Sequence, residues 1–261
     1  MNTRAPGRYT GRVAVVTGAA SGIGRAVVDG LVAEGALVVA NDVSAGPLGE
    51  LASDRVVTVT ADVREPHAAQ QLVGAARDLA DGRIDALFNN AGISRPGRAA
   101  EIDEETWSHV MGVNNDAAFH VVTAVGRVMI EQGHGAVLNT ASVAGTHGLP
   151  GNVPYVVSKH AVVGLTRALA VEWGVHGIRV NALCPGLTAS GMNTRLRAAD
   201  SGYWEAREAV VPLRRAGTAE EQASVALFLN SPEASYVSGL IAEVDGGTHA
   251  LYAGYAVNRP V

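Results

Sequence analysis

The chain has 261 residues, 48% of them hydrophobic and 17% charged. That is enough apolar side chain for one sizeable core and too little charge for a disordered chain. A net charge of −5 and a pI ≈ 5.9 argue against a nucleic-acid binder, whose phosphate partner asks for a basic face. No run approaches the roughly 20 apolar residues of a membrane span, and the polar start carries no apolar signal core. The lone Cys184 can neither close an internal disulfide nor build a metal cluster, so a reducing cytoplasm and no metal are expected. Of the 20 basic residues, Lys159 is the only lysine.

Short β-branched runs alternate with longer helical stretches along the whole chain. Val13–Thr17 reads as the first strand, followed by glycines and a helix ending at Glu34-Gly35. Leu37–Ala40 and Val56–Thr60 read as the next strands, with a helix from about Pro66 to Ala80 after them. Ile84–Phe88 is a fourth strand, and residues 106–131 read as one long helix. Ala136–Thr140, a helix over Pro154–Val175, and a strand over Ile178–Cys184 follow. Ala219–Leu229 is a further helix, and Leu240–Val244 a last strand. Strands apolar at every position are buried on both faces, which predicts a parallel sheet between two helical layers. The expected fold is therefore α/β: a single-domain, Rossmann-like, doubly wound parallel sheet of about seven strands with helices on both faces. The core spans about residues 10–248, and 249–261 form a tail. Two stretches look irregular, Gly92–Glu105 and Pro185–Val211, and the second is long enough to be a lid.

Thr17-Gly18-Ala19-Ala20-Ser21-Gly22-Ile23-Gly24 leaves the first strand and opens the first helix. A diphosphate needs such a segment: no side chains where backbone meets phosphate, and free N–H groups at a helix N-terminus. Asp42 closes the second strand, where a carboxylate accepts both ribose hydroxyls of an adenosine and repels a 2′-phosphate. Val43 follows it, with no basic residue to invite that phosphate, so NAD is favoured over NADP. Asp62, followed by Val63 after the third strand, is either an adenine contact or a plain cap.

Tyr155 and Lys159 stand four residues apart at the start of a long helix, on one face. A nearby ammonium favours phenolate, and a tyrosine lowered from about 10 is a usable general acid/base. Ser142 ends the fifth strand, and Asn89-Asn90-Ala91-Gly92 ends the fourth, both at the sheet edge where open α/β folds bind ligands. Asn114 falls mid-helix, a place asparagine does not favour.

These residues, with Pro185-Gly186 and Asp245-Gly246-Gly247, occur in an order that resembles the compact short-chain dehydrogenase/reductase family over about Thr10–Thr248. The resemblance implies a tetrad: Tyr155 as acid/base, Lys159 on the nicotinamide ribose, Ser142 on the substrate oxygen, and Asn114 fixing a water that relays protons to Lys159. It implies that Asn90, Ala91 and Gly92 meet the adenosine half, that Pro185 and Gly186 line the nicotinamide, and that Thr188 or Ser190 holds its carboxamide. The implied reaction is NAD-dependent interconversion of a secondary alcohol and a ketone. The alternatives are an NADPH-dependent 3-oxoacyl or polyketide-type ketoreductase and a non-catalytic cofactor sensor. Ser94, His147, Leu149, Asn152, Met192, Tyr203 and Trp204 are the candidate substrate contacts, for a small cyclic or apolar molecule. The family also implies a homotetramer or homodimer, with the tail, including Tyr252 and Tyr255, packing on a neighbour. Neither nucleic acid nor membrane is an expected partner.

Overall fold

The computed structural model describes residues 7–189, 191–194 and 200–251. Seven strands form one sheet: β1 (Val13–Thr17), β2 (Leu37–Asp42), β3 (Val56–Thr60), β4 (Ala86–Asn89), β5 (Gly135–Thr140), β6 (Ile178–Pro185) and β7 (Ile241–Val244). The order is β3-β2-β1-β4-β5-β6-β7, and every pairing is parallel. The chain winds outward from β1 to β3 and then returns to β4 on the other side of β1. That reversal opens a crevice at the carboxyl ends of β1 and β4, the place where such sheets take ligands.

The helices are α1 (Gly22–Ala33), α2 (Ala45–Gly49), α3 (Ala68–Leu79), α4 (Glu104–Met111), α5 (Ala117–Gln132), α6 (Val153–Trp173), α7 (Ser201–Ala209) and α8 (Ala219–Asn230). Successive strand residues point to opposite faces, so β1 feeds two cores at once. Ala14 and Val16 pack with Val27, Val28 and Leu31 of α1 and Ala223, Ala226 and Leu227 of α8. Val13 and Val15 pack with Leu72 of α3, Val121 and Val125 of α5, and Trp173 of α6. Burying such strands from both sides removes about 25 cal/mol of unfavourable hydration per Å² of apolar surface, the main force holding the layers together.

The expected helix over 106–131 is present and changes its winding midway. A π-helical turn, Gly112–Asp116, separates α4 from α5. Glycine and consecutive asparagines are weak helix formers, and the Asn114 side chain bonds Ile93 and Ser158 from within this turn. The irregular stretch after β6 holds the short helix α7, capped at its start by the Asp200 carboxylate, which accepts from the Tyr203 amide at 2.9 Å. The five-residue α2 was not legible as a helix, since its sequence is AGPLG. Among the described residues no helix is long and apolar enough to cross a membrane.

Candidate active site

The glycine segment folds as the phosphate chemistry requires. Gly18 has φ +66, and a Cβ there would lie 2.9 Å from the Ala91 Cα. At Gly24 a Cβ would come within 2.8 Å of the Asn90 amide nitrogen. Only glycine fits both positions, the first for its left-handed backbone and the second for space. Ser21 is the N-cap of α1, yet its side chain makes no capping hydrogen bond, and no acidic residue occupies the first turn. Ile23 lies in that turn, partly buried. The N-terminal amides of α1 and its positive dipole end are therefore left for an anion. These features fit a dinucleotide diphosphate.

Asn90 ties the strand ends together beneath this segment. Its amide donates to the carbonyls of Thr17 (3.1 Å) and Gly18 (3.3 Å), and it accepts from the Thr140 hydroxyl at 3.2 Å. The Thr17 hydroxyl accepts in turn from the Asn90 and Ala91 amides. The Asn90 side chain is thus occupied in building the crevice, a task the sequence does not reveal.

The Asp42 carboxylate accepts from the Ala20 amide (3.1 Å) and the Ser44 amide (3.0 Å), which places it against the glycine segment. Val43 beside it is 62% exposed and apolar. Asp62 is held differently. Both of its oxygens are gripped by the Arg64 guanidinium, at 3.0–3.1 Å from Nε, and Oδ1 also accepts from the Arg64 amide at 2.9 Å. This fork holds the carboxyl below its usual range. Arg64 also reaches His109 Nδ1 at 3.0 Å on α4. Asp62 is therefore anchored as the ion-pair partner of Arg64, and Val63 after it is buried.

The four reactive residues converge at the same edge. Lys159 is 3% exposed, and its ammonium lies 5.7 Å from the Tyr155 ring centroid and donates to the Thr140 carbonyl at 2.7 Å. Burial pushes Lys159 down to about 8. Tyr155 and Ser142 are hydrogen-bonded, and Ser142 also accepts from the Ala144 amide at 3.1 Å. The phenol is displaced upward, because burial outweighs the opposing effect of the Ser142 bond. This corrects the expectation that the i, i+4 lysine lowers it: desolvation dominates in this pocket. A Cβ on Gly92 would stand 3.2 Å from the Lys159 nitrogen and 3.4 Å from Asn114 Oδ1, so its hydrogen is what lets the three meet. Asn114 is 1% exposed, and its side chain is fully engaged with Ile93 and Ser158.

Pro185 closes β6, and Gly186 packs against Asp245, where a Cβ would approach the Asp245 Cα to 2.6 Å. Thr188 is buried, and its hydroxyl donates to the Gly186 carbonyl at 3.2 Å. Ser190 lies outside the described residues, as do Leu196 of the expected lid and residues 252–261 of the tail. Cys184 is fully buried among Ala141, Val162, Val163 and Ala182, with its thiol pushed up to about 11 by burial.

The structure divides the substrate candidates. Leu149, Met192 and Tyr203 present apolar surface to solvent. The Arg207 guanidinium lies 5.9 Å from the Tyr203 ring centroid. His147 meets His249 edge-on, with ring centroids 4.4 Å apart. Trp204, at 3% exposure, is the buried residue of α7. Ser94 and Asn152 bond each other at 2.8 and 3.2 Å, and so are committed as a pair. Ser158 and Thr140, both missed from the sequence, complete the site. Their one sequence signal is position: beside Lys159, and at the end of β5.

A family model described as enoyl-(acyl carrier protein) reductase matches residues 18–249. The galactitol 2-dehydrogenase (L-tagatose-forming) of Cereibacter sphaeroides is 40% identical over 256 residues, covering 95% of this chain and 98% of that one. A crystal structure of levodione reductase superposes with TM-score 0.88 at 38% identity, covering 94% of this chain and 100% of the other. A gluconate 5-dehydrogenase from Beutenbergia cavernae, described as putative, NAD(P) dependent and with bound NADP at low occupancy, gives TM-score 0.86 at 39% identity. That match covers 95% of this chain and 100% of the other.

Proposed function

We propose, starting from the fact that the chain belongs to the short-chain dehydrogenase/reductase family, that it is an NAD-dependent oxidoreductase interconverting a small secondary alcohol and its ketone. The observation that carries this reading is the buried ammonium of Lys159 beside the Tyr155 phenol, with Ser142 also close to that phenol. A lysine kept from water without a carboxylate partner is unfavourable for folding, and such a group is expected where a reaction uses its charge.

In this reading Ser142 Oγ and Tyr155 Oη bracket the substrate oxygen. Tyr155 moves the proton: to the oxygen when a ketone is reduced, from it when an alcohol is oxidised. Its upward displacement keeps it protonated near neutrality, as a general acid needs. Lys159 holds a positive charge next to the phenol and so stabilises the phenolate that the oxidative direction requires. Gly18, Ser21, Gly22, Ile23 and Gly24 would hold the diphosphate, Asp42 the adenosine ribose, and Pro185, Gly186 and Thr188 the nicotinamide end. When bound, the nicotinamide supplies the hydride acceptor or donor and, oxidised, a further positive charge near the phenol. Asn114, its side chain committed, contributes to a proton relay only through the main chain of its π-helical turn.

The substrate is proposed to be a small cyclic or apolar alcohol, on the strength of the exposed apolar residues Leu149, Met192 and Tyr203. The similarity to a galactitol dehydrogenase brings polyols into the test. Cofactor reduction measured against galactitol, gluconate and a series of cyclic secondary alcohols is expected to be supported by NAD about 100-fold better than by NADP in kcat/KM. The reason is that a carboxylate against a 2′-phosphate is worth several kcal/mol of discrimination. Asp42→Asn is expected to narrow that ratio at least about tenfold. A wild-type preference for NADP, the cofactor bound in the gluconate 5-dehydrogenase neighbour, overturns the NAD assignment and favours the ketoreductase reading.

The protein is further proposed to act in the cytoplasm and to assemble as a homotetramer or homodimer. Phe119 of α5, Val171 of α6, Phe228 of α8, and Tyr236 and Leu240 before β7 are exposed apolar residues of the kind that mark interfaces. Light scattering is expected to give a mass of two or four chains, and a monomer overturns the assembly.

A further inference from the structure

The segment that follows β4 is stapled to the catalytic helix α6 at two places, and Tyr155 lies between them. The first staple is the Ser94–Asn152 pair at the N-cap of α6, supported by the Gly97 amide donating to the Gly151 carbonyl at 2.9 Å. The second runs through Asn114. Its Oδ1 accepts from the Ile93 amide at 2.8 Å, and its Nδ2 donates to the Ile93 carbonyl at 2.9 Å and to Ser158 Oγ at 3.0 Å. The Ser158 hydroxyl then donates to the Tyr155 carbonyl at 2.8 Å. Ser158 is 0% exposed and Asn114 1% exposed, so no water shares these bonds. The Asn114 amide spends both protons, and the serine uses its one proton and one lone pair. Such a closed, dry network has one low-energy arrangement, since any partner displaced is left unsatisfied.

We propose that Ser158 is a positioning residue for the reaction: through Asn114 it fixes the segment after β4 and the π-helical turn against α6, and so sets where Lys159 stands relative to Tyr155. The proposal rests on the reading of Tyr155 as the acid/base. Ser158 itself touches neither substrate nor reacting atoms. Its neighbour in sequence is Lys159, and a Cβ on Gly92 would stand 3.2 Å from the Lys159 nitrogen and 3.4 Å from Oδ1 of the Asn114 that Ser158 holds. A displacement of about 1 Å in a reacting group is enough to lose about 100-fold in rate.

The test is Ser158→Ala, assayed with NAD and the alcohol that the wild-type chain oxidises fastest. The kcat is expected to fall about tenfold, with the NADH dissociation constant, read by fluorescence titration, unchanged within about twofold. The rising limb of the kcat–pH profile is expected to move to higher pH, as the less well-placed ammonium stabilises phenolate less. Wild-type kcat with a wild-type pH profile overturns the proposal. So does a loss of NADH binding in step with kcat, which marks a merely structural role. If Ser158→Ala does not fold, Ser158→Cys keeps the packing with a far weaker acceptor and is read in the same way. An inactive Tyr155→Phe beside a wild-type-like Ser158→Ala defeats this proposal alone. An active Tyr155→Phe defeats the parent reading instead.

Discussion

Tyr155→Phe is expected to abolish turnover, by at least about 1,000-fold in kcat, while NADH binds as it does to the wild-type chain. General acid–base catalysis by a positioned side chain contributes about 10²–10⁴-fold. The substitution deletes one oxygen and keeps the ring, so packing at the start of α6 is retained. Ser142 stays in place because the Ala144 amide still holds its oxygen. The groups assigned to the cofactor lie on other elements: the N-terminus of α1, Asp42 after the glycine segment, and Gly186 after β6. Binding and chemistry should therefore separate. Steady-state kinetics beside a fluorescence titration of NADH checks this, and residual turnover above about a hundredth of wild type is incompatible with Tyr155 as the acid/base.

Lys159→Arg keeps a positive charge and is still expected to lower kcat about 100-fold or more. The ammonium donates to the Thr140 carbonyl at 2.7 Å and would be 3.2 Å from a methyl on Gly92. A planar guanidinium does not fit that space without moving a neighbour. Overfilling a close-packed site costs about 1–3 kcal/mol, and the shift also misplaces the charge relative to the phenol. The two cations differ in titration as well. Burial brings Lys159 from 10.5 to about 8, whereas an arginine stays charged throughout. The sign for stability follows. Between about pH 8 and 10.5 the unfolded chain holds the Lys159 proton that the folded chain has lost, so the contribution of Lys159 to stability rises with pH across that window. The arginine variant is expected to lack that gain. Thermal unfolding at pH 7 and pH 10 reads the difference, and near-normal kinetics in the variant would refute the role given to Lys159. This chain uses arginine for every basic residue except this one.

The strands were legible because apolar and β-branched runs leave a plain mark. Val13–Thr17, buried on both faces, and the edge strand Val56–Thr60 are apolar or β-branched throughout and appear with those bounds. The reactive residues were legible because two of them, Tyr155 and Lys159, sit one helical turn apart, and the others end strands. What stayed hidden depends on partners distant in sequence. The π-helical turn at Gly112–Asp116 carries Asn114, whose side chain bonds Ile93, 21 residues earlier. Ser94 and Asn152 each looked free for a substrate, and they bind one another across 58 residues. The upward displacement of Tyr155 reflects how deeply α6 packs, which no spacing reports. Asp62 is the exception. Its captor Arg64 is two residues away, and the Asp-Val-Arg run could have been read as a local ion pair.

The central claim is that Tyr155 moves the proton while hydride passes between a secondary carbinol carbon and the nicotinamide. It is tested most directly with an alcohol carrying deuterium at that carbon, by mass spectrometry of the reduced cofactor. The wild-type chain should deliver the deuterium to NAD in one-to-one yield with ketone, and Tyr155→Phe, loaded equally with cofactor, should deliver none. Deuterium transfer at wild-type rate by Tyr155→Phe, or ketone formed without label in the cofactor, would contradict the account.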